Sequence, residues 1–148
     1  MSAKCDVPKV RLLLKKTKCT PSGRLSNPAT IADYLRSEYG NAGQEWFIAI
    51  ALSADMRALA VIEVSAGGLD QAAVDPKTLF AGVLLAGAVG FVVAHNHPSG
   101  NASPSDADMR LTRQLVDGAK LLALRVMDHL ILTTDRVYSM MAEGVLPR

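Results

Sequence analysis

Two imidazoles and a carboxylate fall at a spacing that suits one metal ion. They are His95 and His97, in the run His95-Asn96-His97-Pro98-Ser99-Gly100, and Asp108 just beyond it. The preceding Gly90-Phe91-Val92-Val93-Ala94 is apolar and β-branched, which reads as a buried strand. Side chains two apart on a strand share a face, about 6.6 Å apart along it, so the two histidines leave the strand end together. Rings at that spacing can swing onto one ion at about 2.0–2.1 Å. Pro98 and Gly100 turn the chain, Asp108 returns on the first turns of the next helix, and Ser105, three residues earlier, shares its face. Two histidines, one carboxylate and an open fourth position make the donor set of a hydrolytic zinc site, not of a closed structural one. The same residues also have plain structural uses. Ser105-Asp106-Ala107-Asp108 and Ser103-Pro104-Ser105-Asp106 both read as capping boxes, and histidines at a strand end often just bond nearby backbone. Their coincidence, with Pro and Gly shaping the turn between them, favours the metal.

His95-Asn96-His97-Pro98-Ser99-Gly100, followed by Pro104-Ser105, Asp108 and Thr112, resembles the RadC family, a bacterial branch of the JAMM (MPN+) metalloproteases. The JAMM pattern of a Glu, then H-x-H-P, then S-x-x-D falls here on His95, His97, Pro98, Ser105 and Asp108. The likeness continues through Gln44-Glu45, Val64-Ser65, Gly67-Gly68-Leu69, Asp128-His129 and Tyr138-Ser139, and it covers about residues 27 to 148. It departs at Val74-Asp75-Pro76-Lys77, where the family reads V-H-P-R, and at Ala51-Leu52-Ser53, in place of L-x-L-D. Neither departure touches the inferred ligands, though both could alter the rim where a substrate would lie. The resemblance implies a zinc-dependent metalloprotease or isopeptidase in which metal-bound water attacks a peptide or isopeptide carbonyl. It places the catalytic Glu on Glu45. It also gives Ser105 a role beside the metal water or the oxyanion, typically worth a few kcal/mol, where the residues alone suggest a helix cap just as well.

Read without the resemblance, the general base stays open among Glu38, Glu45, Glu63 and Glu143. Glu45 precedes the apolar Trp46-Phe47-Ile48-Ala49-Ile50, so its acid sits at the end of a strand, where the His strand could lie beside it. It could also be a solvated strand-entry charge, with Glu63 as the base. Asn96 projects opposite to its flanking histidines and reads as a brace for the turn. Thr112, four residues after Asp108, could touch a ligand from behind. His129 reads as a satisfied structural histidine, with an Asp128–His129 pair near the site as the alternative. Trp46 and Phe91 read as core.

The positioning elements follow from capping and periodicity. Asn27 and Pro28 start a helix carrying Ile31, Leu35 and Tyr39, which Gly40 is placed to end. Residues 45–53 and 58–65 read as a hairpin about Ala54-Asp55-Met56-Arg57. Asp75-Pro76 opens a helix to about Ala88, the His strand follows, then a helix from Ser105 to about Leu122. Two short strands, 126–133 and 137–140, close the pattern around Thr134-Asp135-Arg136. This alternation predicts an α/β fold, a mixed sheet flanked by helices on both faces, in agreement with the three-layer sandwich that the resemblance implies.

At 148 residues the chain fits one cored domain, expected over 25–148 behind a basic arm at 1–24. Charged residues are 20% of the chain, which argues against disorder. Apolar runs break well before the roughly 18 residues of a membrane span, and no signal-peptide pattern opens the sequence, so a cytoplasmic location is expected. Cys5 and Cys19 match neither a disulfide framework nor a Cys-x-x-Cys clip. The net charge of +2 hides an asymmetry: Lys4, Lys9, Arg11, Lys15, Lys16, Lys18 and Arg24 face Asp6 alone, a net +6 that leaves −4 for the rest. Such an arm is either a solvated extension or a weak phosphate contact, which keeps a second function in play: a DNA-repair-associated, nucleic-acid-binding accessory module. No aromatic interleaves the charges, which weakens that reading. A zinc deaminase is disfavoured, since H-x-E and P-C-x-x-C are absent. The expected partner is a peptide or protein substrate.

Overall fold

Side-chain caps set the helix starts. Asn27 Oδ1 accepts from Ala29 N at 2.9 Å, Asp75 Oδ1 from Lys77 N at 3.1 Å, and Ser105 Oγ from Asp108 N at 3.1 Å, each satisfying a donor that the first helical turn leaves open. In this computed structural model, which describes residues 23–39, 43–66 and 74–148, those caps open α1 (Pro28–Tyr39), α2 (Pro76–Leu85) and α3 (Asp106–Leu121). The strands are β1 (Trp46–Leu52), β2 (Ala58–Ala66), β3 (Gly90–Asn96), β4 (Arg125–Leu132) and β5 (Val137–Ser139). Helix α2 ends at Leu85, short of the expected Ala88, because Gly87 turns into the left-handed region at φ +67°. The basic arm expected at 1–24 lies outside the described residues except for Gly23 and Arg24. So do the helix stop at Gly40 and the Gly67-Gly68-Leu69 stretch of the likeness.

The five strands form one mixed sheet in the order β2-β1-β3-β4-β5. β3 and β4 run parallel, joined through α3, and the other pairs are antiparallel. The alternation of strand side chains divides the core into two layers. On one face Ile48, Ile50, Leu52, Val92, Ala94, Leu130 and Leu132 pack against Ile31, Ala32 and Leu35 of α1. On the other, Phe47, Ala49, Phe91 and Val93 pack against Leu79 and Val83 of α2 and Leu115 and Ala119 of α3. This is the expected sheet covered on both faces. β3 enters tightly beside β4: a Cβ on Gly90 would lie 2.8 Å from the Arg125 carbonyl oxygen, so only glycine fits. Among the described residues no helix is long and apolar enough to cross a membrane.

The C-terminal turn is pinned by one buried acid. Asp128 accepts from Ser139 Oγ at 2.5 Å, His129 N at 2.7 Å and Met141 N at 2.9 Å. Burial pushes this carboxyl up, and the three donors oppose it. Asp128→Ala would strand those donors and is expected to cost roughly 2–4 kcal/mol in urea unfolding, while Asp128→Asn, which keeps an acceptor, costs less. Equal stability of the alanine variant and wild type would contradict that role.

Candidate metal centre

The parity that builds the second core layer also aims the polar groups. His95 follows Phe91 and Val93 on the α2/α3 face of β3, at the carboxyl end of the strand, where open α/β sheets place their ligands. His97 continues the same parity past the strand end. Pro98-Ser99-Gly100 then turns the chain, with Gly100 N donating to His97 O at 3.1 Å and Gly100 at φ +81°. The turn carries the Asn101 carbonyl back to His97 Nδ1 at 2.7 Å.

Asp108 arrives from α3. It is the third residue of the helix, in a capping box with Ser105, whose backbone N and hydroxyl both lie 2.7 Å from Oδ2. Of the two capping boxes legible in the sequence, this is the one that forms. The box and the metal reading are compatible, because the cap fixes the carboxylate against the histidines. Asp108 Oδ1 lies 3.1 Å from His95 Nε2, Asp108 Oδ2 lies 3.4 Å from His97 Nε2, and the two Nε2 atoms are 2.9 Å apart. The ligand atoms of His95, His97 and Asp108 all fall within 4.8 Å of one another, in a half-buried to buried setting.

The donor set suits a divalent cation such as zinc. Because the Asn101 carbonyl can only accept, His97 Nδ1 carries a proton, and a neutral His97 therefore turns a lone pair at Nε2 toward His95 and Asp108. Nitrogen lone pairs and a carboxylate crowded this closely repel unless a proton or a cation lies between them. His97 is held above its ordinary value, first by its hydrogen bond with Asp108, with the Asn101 carbonyl and the charges of Asp108 and Glu45 adding to it against burial. Burial works to raise Asp108, but the facing His95 and His97 rings and the Ser105 hydroxyl outweigh it and hold the carboxyl well below the usual carboxylate range.

Glu45 stands immediately before β1. The antiparallel register pairs Ile48 with Ala94 and Phe47 with His95 near the start of β1, and the charge of Glu45, just before that strand, acts on His97. Its carboxylate is exposed and bonds to no other described residue. Asn96 holds that segment: its Oδ1 accepts from Trp46 N at 2.8 Å and its Nδ2 donates to Gln44 O at 2.9 Å. The expected brace therefore clamps the backbone on either side of Glu45 rather than its own turn. Glu63 is elsewhere. It pairs with Ile48, on the α1 face, and accepts from Tyr39 Oη at 2.9 Å. Glu38 lies on α1, in the same outer layer.

Two residues are more involved than the sequence suggested. The fully buried His129 ring meets His95 Nδ1 at 2.8 Å through Nε2 and Thr112 Oγ1 at 2.6 Å through Nδ1, so it is satisfied at both nitrogens, as expected, and one of its partners is the candidate ligand His95. Asp128 bonds the backbone of His129, not its ring, so the Asp–His side-chain pair does not form. Burial holds His129 well below its ordinary value, hence neutral. Phe47 walls the cluster, stacked on His95 with ring centres 5.8 Å apart and edge-on to His129 at 5.7 Å. A buried histidine in an apolar strand demands hydrogen-bond partners, and that demand was the available signal.

Residues 25–145 match the family model described as RadC-like JAB domain. Similar proteins include a UPF0758 protein of Pelobacter propionicus, 31% identical over 123 residues that cover 83% of this chain and 54% of the relative. Another, from Paraburkholderia xenovorans, is 38% identical over 81% of this chain and 47% of its own length. A third, from Cupriavidus pinatubonensis, is 36% identical over 92% of this chain and 59% of its own. The chain thus spans about half the length of the curated relatives it matches.

Proposed function

This chain belongs to the RadC-like JAB domain family, and from that premise we propose that it is a zinc-dependent hydrolase of the JAMM metalloprotease type, acting on a peptide or isopeptide bond. The observation that carries the reading is the convergence of His95 Nε2, His97 Nε2 and the Asp108 carboxylate on one point, with the Glu45 carboxylate near enough for its charge to act on His97. Zinc held by these three residues would acidify a water to a pKa of about 7 and polarise the scissile carbonyl.

The chain's own groups supply the rest. Glu45, bonded to no other described residue, takes the proton of the attacking water and hands it to the leaving amine. Asn96 keeps Glu45 in reach by fixing the peptide groups on either side of it. Ser105 donates to Asp108 in the resting arrangement and, by rotating about its χ1, offers that proton to the oxyanion. Phe47 and His129 close the rear of the site to solvent. The substrate in this reading is a protein or peptide in the cytoplasm. The nucleic-acid module rests on residues 1–24 and draws nothing from this site.

The test is a screen of zinc-loaded protein against linear peptides and isopeptide-linked conjugates, with Glu45→Gln as control. Cleavage that the variant loses supports the proposal. Zinc-replete protein that cleaves nothing in either library, or cleavage indifferent to the variant, defeats it.

A further inference from the structure

His95 faces a conflict that His97 does not. The Asp108 carboxylate, 3.1 Å from His95 Nε2, attracts a proton onto the nitrogen that must stay bare to bind metal. Something has to hold that proton on Nδ1. The hydrogen bonds behind the ring assign it. Thr112 Oγ1 makes two contacts of 2.6 Å, to the Asp108 backbone oxygen and to His129 Nδ1. A carbonyl oxygen only accepts, so the single Thr112 hydroxyl proton goes to Asp108, in the i−4 bond common for helical threonine. Thr112 Oγ1 is then an acceptor, and His129 Nδ1 must donate to it. With Nδ1 donating to Thr112, and with the ring sealed from water and bonded by no carboxylate, His129 accepts at Nε2, so the 2.8 Å contact is filled by a proton on His95 Nδ1. His95 Nε2 is left with its lone pair facing His97 and Asp108.

We propose that Thr112 and His129 are positioning residues that lock His95 as its Nδ1–H tautomer, so that Nε2 is ready to take a metal ion. The inference rests on the metal reading given above. The array starts on the side chain of one ligand and ends on the backbone of another, so it also ties β3 to α3 across the site. It is an orienting device and not a proton channel, because its last acceptor is a peptide carbonyl that takes no proton. All three side chains are buried, with His129 and Thr112 sealed from water. No solvent molecule can therefore substitute for the threonine hydroxyl.

The experiment is zinc titration against a competing chelator for wild type, Thr112→Val and Thr112→Ser, with long-range ¹H–¹⁵N correlation of the histidine rings in the zinc-loaded protein. Valine keeps the shape and removes the hydroxyl; serine restores it. Thr112→Val is expected to weaken zinc binding by roughly 10–100-fold, and Thr112→Ser to recover most of it. His129 should appear as the neutral Nδ1–H tautomer. Co²⁺ loading adds a spectroscopic signature of ligand geometry, which a change in stability alone would not move. Equal zinc affinity in wild type and Thr112→Val, or a His129 proton found on Nε2, overturns the array while leaving the metal site standing. A wild-type protein that binds no zinc overturns both.

Discussion

Glutamine at position 45 is expected to leave the metal in place and to cut turnover by roughly 10²–10⁴-fold, the range in which a positioned general base contributes. The side chain keeps its length and its place just before β1, and loses only the ability to hold a proton. Metal content should not change, because Glu45 is not among the atoms that converge with His95, His97 and Asp108. Glu63→Gln is the matched control: its carboxylate lies on the α1 face, bonded to Tyr39, and turnover should survive its loss. Asn96→Ala probes the same role from the backbone. It frees Gln44 O and Trp46 N from their clamp, and a displacement of the base by about 1 Å is enough for a loss of up to roughly 10²-fold with zinc retained. The measurements are kcat on the best substrate of the screen and metal per chain. Full activity in Glu45→Gln, or zinc loss in it, would remove Glu45 from the mechanism.

What was legible in the sequence is what lies close along the chain. His95, His97, Ser105 and Asp108 span a short loop between one strand and one helix, so strand parity, a Pro-Gly turn and a capping box suffice to bring them together. Helix starts were equally readable, since Asn27, Asp75 and Ser105 each cap locally. Glu45 is a different case. Its charge bears on His97 only because β1 pairs with β3, a contact some fifty residues apart in sequence, which periodicity does not encode. Another long-range pairing separates Glu45 from Glu63: the two acids look alike in sequence, and the register of β1 with β2 sends the second to the α1 face. His129 is the satisfied buried histidine expected, but its partners were hidden for a related reason. Its apolar surroundings are shared by any core histidine, and only the parallel pairing of β4 with β3 sets its ring against His95. Asn96 was recognised as a brace, but its target lies on another strand.

Removing any one of the three convergent side chains should abolish stoichiometric metal binding, and this is the largest effect expected of the molecule. A site with three protein donors has none to spare: His95→Ala or His97→Ala leaves two ligands, so zinc retained after dialysis should fall from about one ion per chain to a small fraction. Asp108 needs more care because it also caps α3, and losing the cap alone costs about 1 kcal/mol. Ser105→Ala supplies the control, since it disrupts the same box while sparing all three ligands. A second readout is independent of chemistry. Zinc binds the folded form alone, so free zinc at a hundredfold excess over its dissociation constant stabilises wild type by about 2.7 kcal/mol, or roughly 5–10 °C in Tm for a domain of this size. Ser105→Ala should keep that zinc-dependent rise from a lowered baseline. Asp108→Ala, His95→Ala and His97→Ala should show none, and chelator should return wild type to its metal-free melting temperature. A zinc-dependent rise preserved in the three ligand variants would mean that the ion sits elsewhere, and the convergence of these side chains would then be a hydrogen-bonded cluster and nothing more.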